Sequence, residues 1–333
     1  MKENTESSKA YENIGVIGAG AWGTALALAA AQAGRAVTLW AREPEVVEQI
    51  RAMGENARFL PGVKLPEAIT ATGEIAQAAR ADALLVVVPA QHLRASLAAL
   101  TGAKPLVLCA KGIEKSTGKL LTEVLTEAAP GCEPAILSGP SFARDVSLGL
   151  PTAVTIAARM EIALRLQATL GHATFRPYAS DDLTGVALGG AAKNVYAIAC
   201  GIVDGLGLGE SARAALLARS FAELTRLGQA LGAKPETLMG LSGLGDLVLT
   251  ATSASSRNFS FGRALGRGRT LTELAKPGHP LAEGVETAPA LVRRAHAEGV
   301  ELPIAEAVAS VLDGSLPLDA ALLRLMSRPL KPE

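Results

Sequence analysis

The sequence predicts an α/β domain with a doubly wound, mostly parallel sheet, followed by an all-α domain. A glycine-rich turn near the N-terminus joins an apolar run of strand length to an Ala/Leu-rich helix. Further apolar runs alternate with helical stretches to about residue 180, as in an open parallel sheet. Beyond that point amphipathic helical segments follow one another, with little that resembles a strand.

Composition indicates a globular protein with a large core. The chain has 333 residues, a length sufficient for two domains. Of these residues 49% are hydrophobic and 19% are charged. Lys+Arg 32 balances Asp+Glu 32, and aromatic residues make up only 3%. The neutral total argues against general nucleic-acid binding, and the few aromatics argue against base-stacking surfaces.

The first strand, turn and helix have the pattern of a Rossmann-type dinucleotide-binding turn. Gly18, Gly20 and Gly23 stand in a GxGxxG arrangement between the apolar run and the helix. We expect Gly18 to allow the tight turn, Gly20 to let a pyrophosphate approach, and Gly23 to let the helix lie on the strand. The helix N-terminus would offer N–H groups to the phosphates. A plain βαβ turn without a ligand is the alternative.

The tip of the second strand carries an arginine. NAD-specific turns usually place Asp or Glu there, whereas this chain reads Arg42-Glu43. A guanidinium can pair with a 2′-phosphate, so we expect NADPH/NADP to be the cofactor, with NADH/NAD as an alternative. Glu43 weakens that inference, and a solvated arginine at a strand end is the alternative.

Residues that typically start helices, together with apolar runs, locate the remaining elements of the first domain and the first helix of the second. Pro44 can start a helix that runs to about Met53, and Asp181 or Asp182 can cap a long helix starting near Leu183. Apolar runs predict further strands, which deliver the loops at the ligand-binding edge of the sheet. These runs are 36–40, 83–88, 106–109, 135–137, 153–156 and 173–175.

Four segments follow from this pattern. We expect a loose tail over 1–12, a dinucleotide-binding domain over 13–181, an all-α substrate and catalytic domain over 182–328, and a tail over 329–333.

Cysteine and histidine spacing argues against a metal site or a disulfide framework. The 3 cysteines and 4 histidines are scattered, with no CxxC or CxxH pair. The polar N-terminus lacks the apolar region of a secretory signal, and the longest apolar runs are too short or too Gly-rich to span a bilayer. These features predict a cytoplasmic protein.

Lys193 is the first candidate for acid/base chemistry. It follows Gly189 and Gly190 inside a helical stretch, where each glycine costs about 1 kcal/mol relative to alanine. Close approach of the helix to a ligand or to another backbone would offset that cost. An ammonium buried among small side chains has a lowered pKa unless an anion compensates. On this residue alone, an ordinary lysine reaching solvent from a helix is the favoured alternative.

Two later stretches also offer polar groups. Asp246 follows glycines that would let backbone crowd a ligand, but no strand precedes them, so this is not a second dinucleotide turn. Residues 250–258 place hydroxyls, Arg257 and an amide in a short loop that would suit a phosphate. A polar surface loop is the alternative there.

Taken together, the motifs resemble those of the bacterial NAD(P)-dependent glycerol-3-phosphate dehydrogenases. The resemblance covers about residues 14 to 325. It rests on the order and spacing of Gly18–Thr24, Asn56 to Pro61, Lys111–Glu114, Gly139–Ala143, Gly189–Asn194, Gly243–Leu247, Ser256–Asn258 and Glu283-Gly284.

The resemblance implies interconversion of dihydroxyacetone phosphate and sn-glycerol 3-phosphate with NAD(P)H, which supplies glycerol 3-phosphate for glycerophospholipid synthesis. It implies catalytic roles for Lys193, Asp246 and Lys111. Implied cofactor contacts are Gly18, Gly20, Ala21, Trp22, Gly23, Arg42, Lys111, Ala143, Arg257, Leu281 and Glu283. Implied substrate contacts are Lys111, Gly139, Ser141, Lys193, Asn194, Asp246, Ser256, Arg257 and Asn258. Ala21 and Ala90 stand where the family often has serine.

Two rival functions remain open from the residues alone. A 3-hydroxyacid dehydrogenase also pairs a Rossmann-type domain with helices and a Lys-Asn pair, but would act on a carboxylate substrate. A cofactor-binding sensor without catalysis would need Lys193 or Arg257 to be lost, and both are present. The expected partner is the small-molecule substrate, with no nucleic acid and no integral membrane segment. An exposed apolar helical face would favour a homodimer.

Overall fold

The computed structural model describes residues 9–100, 102–274, 276 and 282–329. The chain divides into two compact units. The first comprises the chain up to residue 110 together with 121–187, and the second comprises 111–120 and the chain from 188 onward. The predicted boundary between residues 181 and 182 stays a prediction. Most of the predicted N-terminal tail, and all but one residue of the predicted C-terminal tail, lie outside the described residues.

The first unit is built on one eight-stranded sheet in the order β3-β2-β1-β4-β5-β6-β7-β8. The strands are β1 (Asn13–Ile17), β2 (Ala36–Trp40), β3 (Ile69–Thr72), β4 (Ala83–Val86), β5 (Pro105–Leu108), β6 (Glu133–Ser138), β7 (Thr152–Ala157) and β8 (Phe175–Ser180).

Strand directions make the sheet mostly parallel, as predicted. β1 to β6 pair in parallel, β7 runs antiparallel to β6, and β8 is parallel to β7. The strand order reverses between β1 and β4, and the carboxyl ends of those strands mark the ligand-binding edge of such a sheet.

Sequence patterns missed one strand and misplaced another. β3 was not predicted, because four residues at the sheet edge are too few for a periodic signal. β8 begins at Phe175, where the predicted run over 173–175 ends. Arg176 and Tyr178 are exposed and Pro177 is buried, so this edge strand lacks a continuous apolar run and contains a residue typical of edges.

Helices and buried aliphatic side chains complete the first unit. Its helices are α1 (Ala21–Gln32), α2 (Pro44–Met53), α3 (Ile75–Ala78), α4 (Leu93–Leu97), α5 (Leu121–Ala128), α6 (Ala143–Ser147) and α7 (Met160–Leu170). The predicted helix from Pro44 to Met53 is confirmed. The core includes Ile14, Leu26, Leu39, Leu85 and Phe175, all at or below 1% exposure, so β1 and α1 share one buried cluster with the neighbouring strands.

The described part of the second unit is helical, with one isolated antiparallel bridge, Ile113 to Leu120. Its helices are α8 (Leu183–Gly205, whose first residues belong to the first unit), α9 (Glu210–Ala230), α10 (Pro235–Met239), α11 (Asp246–Thr252), α12 (Arg257–Gly266), α13 (Leu271–Leu274), α14 (Glu283–Ala297), α15 (Pro303–Leu312) and α16 (Leu318–Met326).

The long helix α8 starts where the sequence indicated. Asp182 Oδ1 accepts a hydrogen bond from the Gly185 N–H at 2.7 Å, which confirms Asp182 as a residue that satisfies the helix start. Within the described residues, α8 alone has the length and apolar character to cross a membrane, but 94% of its most apolar window is buried inside the protein. Core helices of soluble proteins have the same composition.

Glycines bring α8 and α12 into backbone contact. A Cβ at Gly201 would lie 2.1 Å from the Phe259 carbonyl oxygen, and one at Gly262 would lie 2.1 Å from the Ile198 carbonyl oxygen. Alanine does not fit at either position without movement of backbone. This close approach sets the start of α12 against the middle of α8, where the polar residues described next are located.

Candidate active site

The glycine turn of the first unit fits a dinucleotide phosphate. Gly18 has φ +118°, and a Cβ there would lie 2.7 Å from the Val87 carbonyl oxygen at the tip of β4. A Cβ at Gly23 would lie 1.8 Å from the Gly18 carbonyl oxygen. Gly20, in contrast, faces open space, with nothing within 4 Å of a Cβ built on it. Two glycines are therefore needed for packing, and the third leaves room for a ligand.

Two residues without a predicted role hold this turn in place. The buried Asn56 donates from Nδ2 to the Ala19 carbonyl oxygen and to Thr24 Oγ1, both at 2.8 Å. The Thr24 hydroxyl also points at the Ala19 carbonyl, at 3.4 Å. Asn56 appeared in the sequence only as part of a motif. Its partners lie more than 30 residues away along the chain, so spacing could not reveal its function.

The start of α1 carries the other predicted cofactor residues. Ala21 and Trp22 are half-buried in its first turn, which has no acidic side chain and no side-chain cap. The Trp22 indole Nε1 is buried without a partner among the described residues. A helix start with free N–H groups and no carboxylate suits an anion. These observations fit a dinucleotide bound at this turn.

Arg42 lies at the tip of β2, as predicted, and is exposed. Its Nη2 contacts Glu43 Oε1 at 2.9 Å, with 77% of the arginine side chain accessible. An exposed ion pair of this kind contributes little to stability, so the guanidinium can exchange its partner for a phosphate. Glu43 thus competes with any 2′-phosphate for Arg42.

The turn after β6 holds three further predicted residues. Gly139 has φ +148°, and a Cβ there would lie 2.9 Å from Val154 Cα, so glycine is required. The Ser141 hydroxyl donates to the Gly139 carbonyl oxygen at 3.1 Å. Ala143 is the first residue of α6. This turn lies at the carboxyl end of a central strand, on the edge where ligands bind in such sheets.

In the second unit, Asp246 brings the two predicted catalytic lysines together. Lys193 Nζ donates to Asp246 Oδ1 at 2.5 Å, and Lys111 Nζ donates to Asp246 Oδ2 at 2.7 Å. Asp246 is fully buried, and Lys193 is 7% exposed. Thr250, one turn along α11, donates to Asp246 Oδ1 at 3.3 Å, whereas the sequence placed it only in a phosphate-binding loop. The i,i+4 spacing of Asp246 and Thr250 is a signal that could have found it.

The electrostatics of this cluster favour proton transfer near neutrality. Burial lowers the pKa of Lys193 to about 7, Asp246 opposes that shift, and the neighbouring Lys111 cation adds to it. A lysine of this kind exists in both protonation states at ordinary pH. The structure therefore excludes the interpretation of Lys193 as a solvated helix lysine.

Local backbone packing explains how Lys193 and Asp246 meet. A Cβ at Gly189 would lie 2.6 Å from the Ser242 carbonyl oxygen, so α8 touches the backbone of a π-helical turn, Leu241–Gly245, directly before Asp246. Gly243 in that turn packs against the Leu238 carbonyl, where a Cβ would be 1.9 Å away. Contact with another backbone is one of the two reasons expected for a glycine in α8. Single π turns often occur at functional sites.

The predicted loop over 250–258 is confirmed only for 253–256, because α11 continues to Thr252 and α12 begins at Arg257. The Ser256 hydroxyl accepts from the Phe259 N–H at 3.2 Å and caps α12, whose first residue is Arg257. A serine cap followed by few apolar residues gave a weak helix signal, which explains the wrong prediction. Arg257 is exposed, while Ser256 and Asn258 are buried.

Asn258 and Asn194 join these elements by amide hydrogen bonds. Asn258 Nδ2 donates to Asn194 Oδ1 at 2.8 Å, and Asn194 Nδ2 donates to the Lys111 carbonyl oxygen at 3.1 Å. The second unit therefore brings together Lys111, Lys193, Asn194, Asp246 and Asn258. Glu283 is half-buried as the first residue of α14, and Leu281 lies outside the described residues.

The glycine turn and the buried Lys193 together indicate the class of enzyme. A turn fitted to a dinucleotide, in a chain that also buries a lysine with a pKa near 7, defines an NAD(P)-dependent dehydrogenase. Comparisons narrow the class. The C-terminal family model of NAD-dependent glycerol-3-phosphate dehydrogenase matches residues 182–323, and the N-terminal model matches 13–163. The chain belongs to the NAD-dependent glycerol-3-phosphate dehydrogenase family.

Individual relatives agree with this assignment. The chain is 58% identical to a glycerol-3-phosphate dehydrogenase (NAD(P)+) of Parvibaculum lavamentivorans, over 97% of this chain and 99% of that protein. It is 55% identical to the enzyme of that name from Caulobacter vibrioides, over 97% and 99%. The crystal structure of glycerol-3-phosphate dehydrogenase from Coxiella burnetii aligns with TM-score 0.90 and 37% identity, over 96% and 99% of the two chains.

Proposed function

We propose that this protein interconverts dihydroxyacetone phosphate and sn-glycerol 3-phosphate with NAD(P)H, and so supplies glycerol 3-phosphate for glycerophospholipid synthesis. Membership of the family over both halves of the chain supports the reaction. The observation that carries the proposal is the ion-paired, buried Lys193, whose pKa is lowered to about 7.

Lys193 acts as the acid in reduction. When bound, the reduced nicotinamide supplies a hydride to the substrate ketone carbon. The carbonyl oxygen becomes an alkoxide, which takes a proton from the Lys193 ammonium and leaves the neutral amine. That amine regains a proton from solvent, so one NADPH and one proton are consumed for each glycerol 3-phosphate formed. In the reverse direction the neutral amine removes the hydroxyl proton.

Asp246 and Lys111 determine the protonation state of Lys193. The Asp246 carboxylate stabilises the ammonium and fixes its position, while Lys111 adds positive charge that stabilises the developing alkoxide. Without Asp246, burial would hold Lys193 neutral. Without Lys111, the Asp246 charge would act on Lys193 alone and make it a weaker acid.

Ser256, Arg257 and Asn258 bind the substrate phosphate in this proposal. The exposed Arg257 offers two parallel donors, and the start of α12 offers N–H groups to an anion. Gly139 and Ser141 supply further substrate contacts. Phosphate binding holds the ketone in place during transfer, which lowers the barrier more than binding of the triose part alone would.

The proposed cofactor contacts are assigned to individual residues in the same way. Gly18, Gly20, Ala21, Trp22 and Gly23 hold the pyrophosphate at the start of α1, and Arg42 holds a 2′-phosphate. Ala143, Arg257, Glu283 and Leu281 complete the proposed cofactor set, with Lys111 shared between cofactor and substrate. NADPH is the expected cofactor, and NADH is an alternative.

The proposed setting is the cytoplasm, and the proposed assembly is a homodimer. Exposed Leu206, Leu208 and Met326 line a cavity of about 1180 Å³ formed by α8, α9, α15 and α16, and a second copy could cover this face. Sedimentation of the protein, with Met326→Lys as the comparison, tests the assembly: a dimer that the substitution dissociates supports it, and a monomer refutes it.

A substrate panel tests the reaction. The purified protein is mixed with NADPH or NADH and with dihydroxyacetone phosphate, dihydroxyacetone or a 3-oxoacid, and loss of reduced nicotinamide absorbance is followed. We expect turnover with dihydroxyacetone phosphate alone at micromolar to millimolar concentration. Turnover with the 3-oxoacid instead would identify a hydroxyacid dehydrogenase, and no turnover with any substrate would leave a sensor.

A further inference from the structure

A continuous run of amide hydrogen bonds connects the start of α14 to the main chain of Lys111. The Gly284 N–H donates to Asn258 Oδ1 at 2.9 Å, Asn258 Nδ2 donates to Asn194 Oδ1 at 2.8 Å, and Asn194 Nδ2 donates to the Lys111 carbonyl oxygen at 3.1 Å. We call Gly284, Asn258, Asn194 and Lys111 the amide chain. Its two asparagines are 8% and 4% exposed.

Within the amide chain, both polar atoms of the Asn194 side chain form hydrogen bonds to protein atoms. The Oδ1 atom accepts from Asn258, and the Nδ2 atom donates to the backbone of Lys111. Loss of either partner would leave a buried amide group unsatisfied, which costs about 1–3 kcal/mol. The resemblance implied a substrate contact for Asn194, whereas these bonds give its side chain a second task.

Lys111 depends on such a tether because it begins a loop rather than a helix or strand. Residues 111–120 form a short antiparallel turn closed by the Ile113–Leu120 bridge. Farther along this turn, Lys115 pairs with Glu286 of α14 at 2.7 Å. The Asn194 hydrogen bond instead meets the main chain at Lys111 itself, the residue whose ammonium reaches Asp246.

We propose that Asn194 is a positioning residue, which holds the main chain of Lys111 so that the Lys111 ammonium stays against Asp246 beside Lys193. This inference rests on the proposed function, since it concerns the residues that move the proton. According to this inference, the amide chain affects the acid strength of Lys193 through the position of Lys111. A residue that only contacts the substrate would not have this effect.

The electrostatic consequence has a definite sign. Among the described residues, the charged side chains that act on Lys193 are Asp246 from α11 and Lys111 from the tethered loop. Asp246 raises the pKa of Lys193, and Lys111 lowers it. If Lys111 moves away, its lowering effect is lost and Asp246 acts on Lys193 alone. Both changes raise the pKa of Lys193.

The experiment compares Asn194→Ala and Gly284→Ala with the unsubstituted protein. Gly284→Ala reaches the amide chain from its other end, because a Cβ there would lie 2.6 Å from the Asn194 carbonyl oxygen and 2.9 Å from Asn258 Oδ1. Cys200→Ala is the matched control. It removes a fully buried side-chain atom from the same helix, α8, without touching the chain of amides.

The measurements are thermal unfolding and the pH dependence of kcat for reduction of dihydroxyacetone phosphate. We expect Asn194→Ala to lower kcat about 10- to 100-fold and to shift the basic limb upward by about one pH unit, with the KM for NADPH unchanged. Gly284→Ala should shift the limb in the same direction, while Cys200→Ala should leave it in place. A raised KM for dihydroxyacetone phosphate with an unshifted limb would overturn the inference and make Asn194 a substrate contact.

A second readout separates this inference from the proposed reaction. The rate at which trace acetic anhydride acetylates Lys193, followed against pH by peptide mass spectrometry, reports the pKa of Lys193 without turnover. If the unsubstituted protein does not reduce dihydroxyacetone phosphate, the proposed function fails. An upward shift in Asn194→Ala would then still support the positioning role, and an identical labelling profile in both proteins would refute it.

Discussion

The Lys193 ammonium and the Asp246 carboxylate lie 2.5 Å apart, on helices α8 and α11, which start 63 residues apart in sequence (183 and 246). Burial of either charged group alone would cost free energy, whereas the pair compensates the two charges. The pair also fixes the position of the Lys193 amine that donates the proton. The surrounding residues act on the position and strength of this pair.

Removal of the Lys193 amine should abolish chemistry and spare cofactor binding. Lys193→Ala is expected to lower kcat by about 10²–10⁴-fold, because the proposed reaction takes its proton from the Lys193 amine. NADPH affinity, measured by fluorescence titration, should stay within about twofold. Lys119→Ala, a half-buried lysine of the 111–120 loop that contacts neither Lys193 nor Asp246 in the hydrogen bonds described above, is the control. Near-normal turnover of Lys193→Ala would contradict the assigned role.

The two directions of the reaction should have opposite pH dependence. Reduction needs the protonated Lys193, so kcat should fall as the pH rises through about 7. Oxidation of glycerol 3-phosphate needs the neutral amine, so kcat should fall as the pH drops through the same value. Initial rates in both directions across the pH range, in buffers of constant ionic strength, provide the check. Two limbs of the same sign would count against Lys193 as the titrating group.

Arg42 should control the preference for NADPH over NADH. Loss of a charge-assisted hydrogen bond to the 2′-phosphate in Arg42→Ala should reduce kcat/KM for NADPH about tenfold or more and leave that for NADH nearly unchanged. Glu43→Gln removes the competing carboxylate at 2.9 Å and should raise the NADPH preference. The measured quantity is the ratio of kcat/KM values. An equal loss with both cofactors would exclude recognition of the 2′-phosphate.

Glu223 should make the second unit less stable as the pH rises. This buried carboxylate of α9 accepts the Ile304 N–H at 2.7 Å and the Ala305 N–H at 3.3 Å at the start of α15. Burial raises the pKa of Glu223 from 4.5 to about 7, although these hydrogen bonds oppose the shift. The folded protein therefore holds a proton that the unfolded chain has lost between pH 4.5 and about 7, and its stability falls across that window.

The test is urea unfolding of Glu223→Gln at several pH values. The variant cannot titrate there, so its stability relative to the unsubstituted protein should increase by up to about 3 kcal/mol from pH 4.5 to 7. The exposed Glu236 of α10, changed to Gln, is the matched control for loss of a carboxylate. A constant difference for Glu223→Gln would show that Glu223 has no raised pKa.

Gly262 should not tolerate a methyl group. The Ile198 carbonyl oxygen would lie 2.1 Å from a Cβ at this position, so Gly262→Ala must push α12 away from α8 at a cost of about 1–3 kcal/mol. Denaturant unfolding measures this loss. Gly73→Ala is the control, since Gly73 is exposed and has nothing within 4 Å of a built Cβ. Equal stability of the two variants would disprove the close helix contact.

Sequence patterns predicted the elements whose signals are local. The GxGxxG turn, the parallel strands of the first unit and the capped start of α8 depend on residues within about ten positions of one another. The edge strand β3 and the start of α12 were missed or misassigned, because short elements receive their stability from neighbours that are distant in sequence.

The candidate site shows the same division. Lys193, Lys111 and Asp246 were chosen from motifs, but the charge state of Lys193 could not be derived from them, because burial, anion and cation act in opposite directions. The structure decides in favour of a pKa near 7. Asn56 and Thr24 had no individual roles, since a hydrogen bond between residues distant in sequence leaves no periodic trace, and Thr250 was expected in a phosphate-binding loop rather than on Asp246.

By itself, the amino-acid sequence determined the order of secondary structure, the dinucleotide-type turn and the residue types available for proton transfer, because these depend on local backbone preference and apolar periodicity. Only the tertiary structure decided that Asp246 carries a lysine on each oxygen, that glycines bring α8 against α12, and that the amides of Asn194 and Asn258 reach the main chain of Lys111. Those relationships depend on distances through space, which arise when packing excludes water and leaves each buried polar group only the partners that the fold brings to it.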